Sequence, residues 1–324
     1  AADGSTATPS LANSFATEIY TGNSGTQSIT TGFKPDFSWI KARNYAYNHS
    51  LVDSVRGRNS TLISDLDIAA NPNSGVDKDL ISFDTNGITV GPVNQAYINP
   101  NYNMVSWNWK AGGTPSINTD GTITSVVSAN QAAGFSIVSY TGNNTNNATV
   151  GTGLTVACDL VIVKDLTSSN YWCVGGSTVG NGENLYLNDT GAKLTRDRVK
   201  SVQSNTFTLG NHGETNSTNN FIAYCFTSIS GYSKVGTYSG TGAAQTITTG
   251  FQPGFLMVKA TSHTSSWYIV DSARTPNYFL SPNSSAAEYT DSGKITFTSN
   301  GFTLGSTSYN NSGYTWIYLA IKEN

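Results

Sequence analysis

The groups in this chain that could do chemistry are few. Its 324 residues include three histidines, His49, His212 and His263, and only 11% of the chain is charged. Nucleophilic catalysis needs a Ser or Cys beside a histidine that an acid orients. The three histidines occupy unrelated positions, and no His-x-x-x-His or closely spaced Cys pair offers a metal site. Asp53 and Asp271 are the tempting pair for a glycosidase, which needs two carboxylates flanking the scissile bond. Each, however, stands three residues before an arginine, Arg56 and Arg274, in a repeated phrase Asp-Ser-x-Arg. That recurrence points to two structural pairs bracing loops, because a partly buried charge persists best when paired. Asp65, Asp67, Asp77 and Asp79 offer oxygens of the kind calcium prefers but lack the EF-hand spacing, and read as a solvated acidic loop. The expectation is a protein without enzymatic activity, cofactor or metal.

Binding has better material. Sugar recognition uses aromatic faces beside polar groups, on loops held by a rigid scaffold. The first third of the chain offers Asn44, Tyr45, Tyr47 and His49, then Tyr97, Asn99, Tyr102 and Asn103; the last third offers His263, Tyr278, Tyr309 and Tyr314. A single tyrosine is more often a packing or assembly contact. The set as a whole suggests a ligand-binding surface.

The elements that must position these loops are repeated strands. Tyr20-Thr-Gly22, Tyr140-Thr-Gly142 and Tyr238-Ser-Gly240 each begin a unit. In the same order follow Trp39-Ile-Lys41, Ile162-Val-Lys164 and Met257-Val-Lys259, then hairpin phrases ending at Gly91, Gly210 and Gly305. Each unit closes on an apolar strand: Val105 to Trp109, Phe221 to Phe226, and Trp316 to Ile321. The middle copy lacks the Gly-Phe-x-Pro and Asp-Ser-x-Arg phrases and is the divergent one. Short strands bounded by Gly, Asn, Pro and Ser predict an all-β protein of three tandem related β-sandwich, jelly-roll-like units. Their expected limits are 13–113, 132–228 and 229–324, packed in series, with an arm at 1–12 and a linker at 114–131 that is long enough to hold a hairpin. Asn300-Gly301 predicts a type I′ turn. The closing strands are apolar on both faces and so need cover on both. Trp39, Trp107, Trp109 and Trp316 are assigned to cores.

Charge and composition narrow the partners. A formal charge of -3 without a basic run argues against nucleic acid, and no apolar run reaches the roughly 18 residues of a membrane span. Cys158, Cys173 and Cys225 are odd in number and read as buried free thiols. Sequons such as Asn48-His-Ser50 arise by chance in a chain this rich in Asn, Ser and Thr.

Tyr20-Thr-Gly-Asn23, Gly32-Phe-Lys-Pro-Asp-Phe-Ser-Trp-Ile-Lys41, Asp53-Ser-Val-Arg-Gly57, Trp109-Lys-Ala-Gly-Gly113, Val127-Ser-Ala-Asn-Gln131 and Gly134-Phe-Ser-Ile-Val138 resemble a module repeated in structural proteins of tailed phages, especially those of marine and cyanobacterial hosts. With their later counterparts these phrases span nearly the whole chain. The resemblance implies a virion-surface location and a tail-fibre or tail-tip role in host attachment, with a host-surface glycan or protein as ligand. It also implies other virion proteins as partners and a homo-oligomer, by family habit a trimer. Two alternatives stand beside it: a capsid or tail decoration protein and, behind that, a polysaccharide-degrading enzyme.

Overall fold

Each repeat folds into two main antiparallel sheets, an inner and an outer, with a further short pair, Tyr278–Phe279 and Tyr289–Thr290, in copy three, in a computed structural model that describes residues 13–70, 79–92, 98–274, 278–291, 294–305 and 308–322. The arm expected at 1–12 lies outside the described residues. In copy one the inner sheet runs, in spatial order, Phe15–Thr21, Asn103–Trp109, Phe37–Ala42, Ser50–Asp53, Leu62–Ile63, and the outer Gln27–Thr30, Gly87–Val90, Leu80–Asp84. Copy three repeats this with Ser233–Ser239, Thr315–Ile321, Phe255–Ala260, Trp267–Asp271 inside and Gln245–Thr248, Gly301–Leu304, Ile295–Thr298 outside. Copy two keeps the order, from Phe135–Thr141 through Asn220–Phe226 and Leu160–Asp165 to Cys173–Gly175, and extends it at both ends to eight strands. At one end are Ser125–Asn130 and Ser116–Asn118, so the segment expected as a linker is part of this sheet, with Val126 opposite Ser139 and Ile117 opposite Val126.

The Tyr-x-Gly phrase that opens each copy has a physical cause. Tyr20, Tyr140 and Tyr238 donate their hydroxyls to the carbonyls of Ile98, Thr215 and Tyr309 at 2.6, 2.7 and 2.7 Å. The next residue in each case is a buried asparagine, Asn99, Asn216 or Asn310. Its amide donates to two or more loop oxygens, including the carbonyls of Gly91, Gly210 and Gly305, while its oxygen accepts the backbone N–H of Asn23, Asn143 or Thr241. The glycine follows from close approach: a Cβ on Gly22, Gly142 or Gly240 would lie within about 2 Å of a carbonyl oxygen, of Pro100, Ser217 or Asn311.

The hairpin at 295–304 forms, but not through the expected turn. Thr298 pairs with Gly301, so the two turn residues are Ser299 and Asn300, and neither has positive φ. A type I′ turn needs positive φ at both. Gly301 is the first residue of the returning strand, and a Cβ there would sit 2.0 Å from the carbonyl oxygen of Ile247.

Every copy has its own core between its sheets, and a fourth core is shared by all three. The alternation of the closing strands explains it. Met104 faces copy one's own core, whereas Val105, Trp107 and Trp109 point to the shared one with Phe37 and Trp39. Copies two and three contribute Phe135, Ile162, Tyr224, Phe255, Met257 and Leu319 to it. The two-sided cover that these strands need is therefore supplied by the other copies. The units are packed as a closed ring, not in series.

Contacts run around the ring in one sense. Trp172 of copy two donates its indole N–H to Ile63 O of copy one at 2.9 Å, Trp267 of copy three donates to Tyr186 O of copy two at 2.8 Å, and His49, in the same sheet register of copy one, faces the backbone of Ser281 and Ser284 in copy three. A cavity of about 10 Å³, walled by Phe37, Trp109, Tyr224, Phe255 and others, remains at the centre. Its lining is apolar and offers a water no hydrogen-bond partners.

Candidate functional site

One edge of the ring gathers most of the expected binding residues. The chain leaves the third inner strand of each copy and is tied at once to the closing strand: Arg43 N donates to Asn103 O at 2.7 Å, Leu166 N to Asn220 O at 2.8 Å, and Thr261 N to Thr315 O at 2.7 Å. Two residues further on stand Tyr45, Ser168 and His263. Opposite them, just before each closing strand, stand Tyr102, Asn219 and Tyr314. In copy one the pair stacks, with Tyr45 and Tyr102 ring centroids 4.5 Å apart at 21°. In copy three His263 lies flat on Tyr314 at 3.7 Å and 1°. Copy two replaces the stack by a hydrogen bond from Asn219 Nδ2 to Ser168 Oγ at 3.0 Å.

Tyr47 packs edge-on to Tyr102 at 5.6 Å and tilted against Tyr45 at 4.7 Å, and Asn44 Oδ1 accepts the backbone N–H of Asn103. The stack is thus propped from behind while Tyr45 stays 45% exposed. Ser262 Oγ is 2.9 Å from His263 Nδ1 and accepts Thr315 N–H, and among the described residues no carboxylate contacts that imidazole. The pair lacks the acid that would orient a catalytic base.

The other expected ligand residues do not join this edge. His49, Asn99 and Tyr309 are buried, at 0%, 1% and 3% exposure, so no surface ligand reaches their side chains. His49 Nδ1 accepts the indole N–H of Trp39 at 2.9 Å, and burial and Lys41 hold its pKa well below the usual imidazole range. Asn99 is the loop knot described above. Tyr309 stacks on Phe279 at 4.6 Å, and burial drives its phenol up. Tyr278 lies under the Arg43 guanidinium at 5.8 Å, at the junction of copies one and three. Tyr97 lies outside the described residues, as does Asp77.

The charged pairs sit at the junctions between copies. Arg56 Nε is 2.6 Å from Asp53 Oδ2, which also accepts the hydroxyl of Tyr224 from copy two at 2.8 Å. Arg274 Nε is 2.7 Å from Asp271 Oδ2, which accepts the indole N–H of Trp107 from copy one at 2.9 Å. Glu288 adds a link from copy three to Arg43 at 2.9 Å.

Three lysines behind the edge were not singled out as functional from the sequence. Lys41, Lys164 and Lys259 are fully buried at the ends of their strands. Lys41 Nζ donates to the carbonyls of Ala42 and Tyr45 at 2.6 and 3.2 Å. Lys164 donates to Asp165 O and, across to copy one, Asp67 O, and Lys259 to Ala260 O and, across to copy two, Thr190 O. Burial lowers all three pKa values to about 8. Their signal lay in the alternation: a lysine repeated on the apolar face of a strand must have fixed acceptors waiting for it. They brace the edge from within, and no ligand reaches them.

The chain belongs to the family described as a domain of unknown function, DUF7483, whose model matches residues 10–324. No curated protein matches the chain.

Proposed function

We propose that this protein is a non-enzymatic structural component of a tailed-phage virion, attached at the fibre or tail tip, whose aromatic edge binds glycans on the host surface. The observation that carries the reading is the pair of exposed stacks, Tyr45 on Tyr102 and His263 on Tyr314, at equivalent positions on one edge of a ring. Flat aromatic faces held by packed neighbours offer area to a sugar ring at little cost in side-chain entropy. The sequence resemblance to phage structural modules supplies the setting. The titratable groups that chemistry would use support the absence of catalysis: the Asp53 and Asp271 carboxylates are bonded to arginines at the junctions, and burial raises the Cys173 and Cys225 thiols. Weak sites on many copies of the particle would act together through avidity.

A second reading, a capsid or tail decoration protein, has one observation in its favour. Ile117 is 75% exposed and faces Val126, 38% exposed, at the free edge of the eight-stranded sheet, where a further strand can pair. Cryo-electron microscopy of intact particles separates the two. Density at distal fibres or the tail tip is expected, and a regular array on the capsid or tail shaft would replace attachment by decoration.

A further inference from the structure

Copy two carries a polar set beside the edge that differs from the Asp-Arg pairs of the other copies. Glu214, 8% exposed, accepts Tyr186 Oη at 2.9 Å and Arg198 Nε at 2.6 Å through one oxygen, Oε2. Arg198, 7% exposed, also donates to the Arg196 carbonyl at 2.9 Å and so fixes the backbone that carries Arg196. His212 precedes the short turn Gly213–Asn216 with Nδ1 3.8 Å from the same carboxylate. The carboxylate and the Arg198 guanidinium neutralise one another and form a rigid base.

Three side chains rise from that base to solvent. The Tyr171 ring is 44% exposed and leans on Tyr186 at 4.9 Å. Arg196 is exposed and has no ion-pair partner among the described residues; its acidic neighbour Asp197 is 3.7 Å from Lys200. His212 is nearly half exposed, and partial burial with the nearby Arg198 and Arg196 outweighs Glu214 and lowers its pKa, which favours the neutral imidazole. An anchored aromatic face, an unpaired planar cation and a neutral imidazole thus share one side of copy two.

We propose that Tyr171, Arg196 and His212 form a subsite for a carboxylated sugar. The tyrosine face takes the apolar side of the pyranose, the Arg196 fork takes the carboxylate through two parallel N–H donors, and the neutral imidazole hydrogen-bonds a hydroxyl. Arginine suits this role because its planar donors match carboxylate geometry and stay charged at any pH a virion meets. Copy two, which lacks the aromatic stack of its siblings, contributes charge recognition to the same edge. The inference rests on the glycan-binding reading above.

The test is titration calorimetry of the full chain with tetragalacturonate, with uncharged cellotetraose, and with a sulfated tetrasaccharide, at fixed ionic strength. Tetragalacturonate is expected to bind wild type, and Arg196→Ala and Tyr171→Ala are each expected to weaken it at least tenfold, with cellotetraose unaffected by either change. Unchanged thermal midpoints establish that both variants, altered only at exposed positions, remain folded. The double variant Tyr45→Ala/His263→Ala should lose cellotetraose and keep tetragalacturonate; if it loses nothing, the stacks are not sugar platforms and the copy-two subsite stands alone. No binding of tetragalacturonate to wild type overturns the subsite. So does binding that depends on Arg196 but not Tyr171 and is equal for the sulfated sugar, which would mark a bare charge contact.

Discussion

Copies one and three differ from copy two in how they meet their neighbours, and the differences come in matched sets. Asp53 and Asp271 each accept a hydrogen bond from an aromatic residue of the adjoining copy, Tyr224 and Trp107. In the register where copy two would carry its aspartate it has Gly176, and where copy three would carry the donating aromatic residue it has Leu319. The polar group and its partner are lost together. Each aspartate keeps its own arginine, but an indole N–H or phenol buried opposite a missing aspartate would be orphaned at a cost of about 1–3 kcal/mol, which is reason for the donor and its acceptor to be lost together.

The largest effect should come from breaking that match on one side. Asp271→Ala leaves both the Trp107 indole N–H and the buried Arg274 guanidinium without their shared acceptor. A loss of about 3–5 kcal/mol is expected by urea unfolding, as for other half-removed buried pairs. Trp107→Leu in the same chain should recover part of the indole's share, and a double-mutant cycle showing no coupling would sink the account.

Next in size are the asparagine knots, where the three copies agree. Asn99→Ala, Asn216→Ala and Asn310→Ala each strand buried loop groups that the side chain now satisfies. A cost of about 2–3 kcal/mol apiece is expected in the same unfolding measurement. Near-equal values would show that divergence in copy two spared the loop knot, and a silent Asn216→Ala would show that it did not.

The buried lysines give a pH signature that also spans all copies. A folded-state pKa of about 8 against an ordinary 10.5 means that the folded chain sheds these protons first. Stability should therefore rise with pH between 8 and 10.5, by about 1 kcal/mol per pH unit for each lysine. Burial raises the phenols of Tyr20, Tyr140 and Tyr238, which reverses the trend above pH 10, where unfolded tyrosine ionises and folded tyrosine does not. Thermal midpoints that fall steadily from pH 8 to 10 would contradict the burial of the amines. Two carbonyl bonds per lysine are compatible with a neutral amine, which keeps two N–H donors.

The comparison also shows what the sequence could and could not disclose. Repetition exposed the unit, its strands and the divergence of its middle copy, because Tyr20 and its counterparts are held by a hydroxyl bond to a loop carbonyl and Gly22 and its counterparts by a backbone approach that leaves no room for a Cβ. The two-faced closing strand said that Trp107 and Trp109 needed a second cover but not what supplied it, since alternation reports burial and is silent about the partner. The ring followed only from three-dimensional packing. Among the candidate ligand residues, Tyr45, Tyr102, His263 and Tyr314 fall into equivalent pairs. Asn99 looked identical to them in a linear reading, because an asparagine that satisfies loop backbone and one that faces solvent share the same turn-rich surroundings. Tyr171 carried no signal because its counterparts in the other copies, Asn48 and Ser266, are of other types, and Arg196 belongs to no recurring phrase.

The smallest effect on stability, and the sharpest on the comparison, should come from giving copy two the stack it lacks. Ser168→Tyr/Asn219→Tyr places aromatic rings at the positions equivalent to Tyr45 and Tyr102. Asn219 Nδ2 now donates to Asp165 Oδ2 at 2.8 Å, but Asn170 Nδ2 donates to the same oxygen at 2.8 Å, and Asp165 Oδ1 keeps the backbone N–H groups of Thr167 and Ser168. The carboxylate stays satisfied, so the change should cost no more than about 1 kcal/mol, in line with other partly exposed positions. If the stacks of copies one and three act as platforms through ring geometry alone, the variant should raise the number of cellotetraose sites by one in calorimetry. If stoichiometry is unchanged while near-ultraviolet circular dichroism shows the new rings ordered, geometry is insufficient, and the polar neighbours particular to copies one and three must take part in holding the sugar.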